Sequence, residues 1–118
     1  MAERPRGTAL VDAAIEDVPG LIRSAVARIP RASVTALDDS SAVLTQRSGV
    51  LTPRAEVLTL AFHRGENGRT TITIVHARRG GLAASDFVPS QFEGAVLASI
   101  RAAAQDANQR RVALTLQT

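Results

Sequence analysis

Apolar and polar residues follow two different rhythms along this chain, and the rhythm changes where a turn is expected. "TALVDAA", residues 8–14, reads as a short strand that ends at Asp12. Val18, Leu21, Ile22, Ala25, Val26 and Ile29 then recur at i, i+3, i+4, i+7, i+8 and i+11, one continuous face at 3.6 residues per turn. That predicts a helix. Pro19 fits only its first turn, where the missing N–H has no helical acceptor to lose, and Pro30 ends it. "ASVTALDD" and "SAVLTQRSG" follow as two strand-like runs joined at Asp38–Asp39–Ser40, residues whose side chains bond nearby backbone groups. Residues 50–54, "VLTPR", read as a turn or as a strand interrupted by Pro53.

"EVLTLAFHRGENGRTTITIVHAR", residues 56–78, carries the strongest pattern: two alternating runs around a Gly- and Asn-containing turn, a β-hairpin. Leu58, Leu60 and Phe62 share one face, and so do Ile72, Ile74 and His76. The two sets meet only if facing residue numbers sum to an even total, because a one-residue slip flips a strand. A three-residue loop, Glu66–Asn67–Gly68, satisfies this, with Gly68 left-handed at the end of a type I turn with a bulge. Phe62 then faces Ile72, Leu60 faces Ile74 and Leu58 faces His76.

A second helix opens at "SQFE", where Ser90 and Glu93 have capping-box spacing. Phe92, Val96, Ile100, Ala103 and Ala107 form its apolar stripe, flanked by Leu97 and Ala104. Residues 105–111 are polar and are expected to fray. Val112, Leu114 and Leu116 alternate in "RVALTLQT", which predicts an additional C-terminal strand. An aliphatic strand at an edge needs a partner, so a homo-oligomer is the expected setting.

The expected fold class is therefore α+β: an antiparallel sheet of about five strands, with an N-terminal helix and a long C-terminal helix on one face. The order is β-α-β-β-β-β-α, with the possible extra strand at the end. Residues 1–7 are read as a flexible N-terminus and 8–118 as one domain, the usual outcome for a chain of 118 residues.

Composition narrows function mainly by exclusion. Aromatic residues make up 3%, so the core is aliphatic. With no cysteine there is no disulfide framework, thiolate metal site or cysteine nucleophile. No apolar run approaches the ~20 residues that cross a bilayer. Nor does "MAERPRG" lead into a signal-type stretch. A cytoplasmic protein without membrane contact is expected. The net charge of +3 comes entirely from arginine over acid, and the arginines are scattered rather than clustered on one face. Nucleic acid is not an expected partner.

"HARRGGLAASDFVPSQFE", residues 76–93, holds the densest chemistry. Arg78 and Arg79 with Gly80–Gly81 could bind an anion through guanidiniums and backbone amides. The plainer reading is a connector from sheet to helix, since no Walker or dinucleotide glycine spacing is present. His76 beside Glu56 is the better acid–base candidate of the two histidines, because a neighbouring carboxylate orients an imidazole and raises its pKa. His63 falls on the opposite face of the hairpin in this register, so the two cannot share a metal or a proton. No metal site, cofactor or catalytic residue is assigned.

"TALVDAAIEDVPGLIRSAVARIP" at the start, "GRTTITIV" at Gly68–Val75 and the Asp86–Phe87 pair before the last helix resemble short domains related to the START/polyketide-cyclase helix-grip superfamily. The resemblance spans roughly residues 8–107. Sheet and C-terminal helix would then enclose an aliphatic core or a shallow groove for an apolar ligand, lined by Leu58, Leu60, Phe62, Ile72, Ile74, Phe92, Val96 and Ile100. No catalytic residue carries over. Three functions remain open at this point: a non-enzymatic domain for a small apolar ligand, a partner-binding or self-assembly protein using the C-terminal strand, and an enzyme using His76 and Glu56.

Overall fold

The alternating runs close into an antiparallel meander, and the two apolar helix stripes cover one face of it. The computed structural model describes residues 7–48, 54–79 and 91–117. Its elements run β1 (Gly7–Val11), α1 (Val18–Ala27), β2 (Ala32–Leu37), β3 (Ser41–Ser48), β4 (Arg54–Arg64), β5 (Thr70–Arg79) and α2 (Gln91–Gln117), with 3-10 turns at Ile15–Asp17 and Glu66–Gly68. The sheet order is β1-β5-β4-β3-β2, every pair antiparallel. The predicted element order and α+β class hold. β1 and β2 are the two edges.

Local chemistry explains each boundary. Pro19 sits in the first turn of α1. The helix stops at Ala27, ahead of Pro30, and Arg31 takes a left-handed φ of 62° to launch β2. In the β2–β3 turn, Asp38 Oδ1 accepts from the Ser40 and Ser41 amides, both at 2.8 Å. Those amide bonds hold its carboxyl below the ordinary value of 3.8. The stabilisation is complete above that ordinary value and is lost as the pH falls through the depressed one.

Leu44, Leu58, Leu60, Ile72 and Ile74 are fully buried on the helix side of the sheet, against Val18 and Ile22 of α1 and Val96 and Ile100 of α2. Alternate residues such as Thr59, Thr71 and His63 face the side that no described helix covers, as expected for a two-layer fold. α1 and α2 are joined by an Arg28–Asp106 ion pair, and Arg64 meets Glu16 at 2.7 Å. Both pairs are solvent-exposed and add little stability. A buried bond matters more. Thr70 Oγ1 donates to Ala13 O at 2.7 Å, tying the start of β5 to the segment before α1. Thr70→Val keeps the shape and strands that carbonyl, so denaturant melts should show a loss of about 1–3 kcal/mol. Unchanged stability would mean the carbonyl finds water.

Four expectations are corrected. The hairpin loop has the predicted three residues, with Gly65 N–H donating to Arg69 O at 2.8 Å. Its turn type differs, because Asn67 (φ 59°) and Gly68 (φ 74°) are both left-handed, as in a type I′ turn. The register holds for Phe62–Ile72 and Leu60–Ile74 and then shifts: Thr59 faces His76 and Leu58 faces Ala77. Val75 is the extra residue of a β-bulge, so His76 leaves the core face. The C-terminal residues are helical through Gln117, which replaces the expected sixth strand. Gly7 already belongs to β1, while residues 1–6, residues 50–53 with Pro53, and the Ser90 half of the capping box lie outside the described residues.

Candidate functional site

The eight residues predicted to line a ligand space are brought together, as packed core. Leu58, Leu60, Phe62, Ile72, Ile74, Phe92, Val96 and Ile100 are 0–4% exposed. None of them lines the surface groove formed by Leu10, Arg101 and Val112.

That groove runs along the β1 edge. Antiparallel strands alternate between residues bonded to one neighbour and residues bonded to the other. Counting from the Gly65–Arg69 bond, Thr71 and Thr73 bond β4, leaving Thr70, Ile72 and Ile74 to bond Val11, Ala9 and Gly7. Thr8, Leu10 and Asp12 therefore turn their peptide groups outward. α2 runs beside this edge in the same direction as β1. Gly7 allows the approach, since a Cβ there would sit 2.6 Å from Leu97 Cδ1. Arg101 Nη2 donates to Thr8 O at 3.0 Å and Asn108 Nδ2 to Asp12 O at 3.2 Å. These two clasps stand ~10 Å apart along the helix, matched to ~13 Å along the strand. Between them no described residue bonds the outward peptide groups of Leu10.

The resulting groove has a volume of about 620 Å³ and is walled mainly by Leu10, Val11, Ala104, Val112 and Ala113. Leu10 is 56% and Val112 58% exposed, although both are large aliphatics. Its charged groups are Arg101 towards the Thr8 end and Asp12 towards the other. Ligand sites of ~300–1,000 Å³ with apolar walls and a few placed polar groups are the common type.

Of the other candidates, His76 and Glu56 are not brought together. The bulge at Val75 puts His76 on the face away from the helices, opposite Thr59, whereas Glu56 lies on the helix side in step with Leu58. His76 and Glu56 thus sit on opposite faces of the sheet. His63 does share the face of His76, contrary to the predicted register, but at ~13 Å along β4. Arg78 and Arg79 are the last residues of β5 rather than loop residues, facing Val57 and Glu56 in register. Gly80 to Pro89 lies outside the described residues. Among the described residues no group of three His, Cys, Asp or Glu could hold a metal ion, and no helix is long and apolar enough to cross a membrane.

Sequence reasoning missed Leu10, Arg101, Asn108 and Val112. A signal did exist. Leu10 is the one large aliphatic out of step with Ala9 and Val11, and Arg101, Gln105, Asn108 and Val112 recur at i, i+4, i+7 and i+11 on α2. No protein-family model and no curated protein matches the chain.

Proposed function

We propose that the protein is a non-enzymatic binding domain that takes a small apolar ligand bearing one acidic head in the groove between β1 and α2. The observation that carries this reading is the groove itself, an apolar trough beside an open strand edge with two exposed aliphatics on its walls. The guanidinium of Arg101 uses one N–H group on Thr8 O, which leaves donors for a carboxylate. The Leu10 N–H, which no described residue bonds, lies between the clasps. Asp12 disfavours a second acid at the far end. Kinship with the helix-grip proteins and a cytoplasmic setting belong to the same reading, and the β-α-β-β-β-β-α order supports the former. The ligand lies beside the C-terminal helix rather than beneath it, because the space beneath is filled.

Titration calorimetry with decanoate, decanol and decanedioate tests the proposal. Decanoate should bind best and decanedioate worst. Arg101→Gln should weaken decanoate by ~10–100-fold, the value of one hydrogen bond to a charged group, and leave decanol unchanged. Val112→Asp should abolish binding of all three. Equal affinity of wild type for all three, or none at all, would sink the reading.

A further inference from the structure

The two edges of the sheet are treated differently, and the difference identifies a second surface. On β1 the outward carbonyls of Thr8 and Asp12 are clasped by α2. On β2, Arg47 N–H donates to Arg31 O and Asp38 N–H to Ser41 O. Alternating inward from those bonds, Ser33 bonds Thr45 and Ala36 bonds Val43, while Val34 and Leu37 point outward. The bulge at Thr35 sets this spacing, since without it Ala36 would be the outward residue. Among the described residues nothing bonds these outward groups. The side chains of Val34 and Leu37 are half-buried on the helix side. "ASVTAL" contains no charge and no proline, the usual guards of a strand edge.

We propose that β2 is a self-association edge, pairing antiparallel with β2 of a second copy to make one continuous sheet across a twofold axis. Charge selects this occupant and this direction. The uncharged strand has Arg31 at its start and Asp38–Asp39 at its end. Setting Val34 against Leu37 of the other copy pairs the outward peptide groups twice, once on each side of the axis. It also carries Arg31 to the Asp38–Asp39 turn of the other copy. The Arg31 and Asp39 side chains are exposed and make no bond within the chain among the described residues, whereas Asp38 is held by its own turn. A parallel arrangement would put Arg31 beside Arg31. The contact is isologous, so it closes at two copies. It is independent of the β1 groove.

Light scattering on wild type and on two charge reversals tests the pairing. Wild type at about 100 µM should weigh twice the 12.4 kDa chain. Arg31→Asp and Asp39→Arg should each run as monomers, because each sets like charges together at both ends. An equimolar mixture of the two should recover the dimer mass, since both ends are then complementary. Neither residue is in the core, and Asp tolerates the left-handed backbone at position 31. Val34→Pro, which removes an outward N–H at the cost of a half-buried side chain, should also be monomeric with a folded circular dichroism spectrum. A monomeric wild type, reversals that stay dimeric, or a mixture that does not reassociate would each overturn the proposal.

Discussion

Leu60→Ala is expected to lower the unfolding free energy by about 2–5 kcal/mol, the range for emptying a buried leucine site. Leu60 is 0% exposed on β4, the middle strand of the sheet, facing Ile74 on one side and Ala42 on the other. Rigid strands on both sides limit collapse around the vacated volume, so the upper half of the range is the better expectation. The neighbouring Thr59 has the opposite orientation and a half-exposed side chain. Thr59→Ala should cost about 1 kcal/mol or less, the span of strand propensity. Urea melts of the two variants, compared at equal m-value, read the difference directly. Equal losses would mean that the two faces of β4 have been exchanged.

That contrast was legible in the chain because a strand with one buried face must alternate. Leu58, Leu60 and Phe62 against Ile72 and Ile74 allow one register near the turn. α1 was legible for a similar reason, since its six spaced aliphatics and two prolines leave one helix. The bulge was not. One extra residue costs the ladder little, and His76 looks like the next member of the Ile72–Ile74 series until Ala77 is seen to take its place. The bulge carries straight into the candidate chemistry: it moves His76 away from the side of Glu56 and onto that of His63. The groove was illegible for a different reason. It depends on α2 lying along the β1 edge, which neither segment encodes alone. Leu10 and Val112 are ordinary surface aliphatics until the fold brings them to one trough.

Ile100→Ala in α2 should cost about 2–5 kcal/mol, while Leu114→Ala, fourteen residues on, should fall within about 0.5 kcal/mol of wild type. The two residues belong to one continuous helix yet to different environments. Ile100 is 0% exposed against the sheet, and the last inward-facing contacts of α2 fall at Ala103, Ala104 and Ala107. Past Asn108 the described side chains are exposed, with Leu114 at 65%. The helix persists because extending an existing helix is cheap, and Arg, Ala, Leu and Gln are good formers. The period-two spacing of Val112, Leu114 and Leu116 therefore does not decide the conformation. Hydrogen exchange should show this as a gradient, with strong protection from Phe92 to about Ala107 and progressively faster exchange beyond. Removing residues 112–118 should leave the melting temperature nearly unchanged while opening one wall of the groove at Val112. Uniform protection to Gln117, with a large loss from Leu114→Ala, would require that the last turns are covered by another surface.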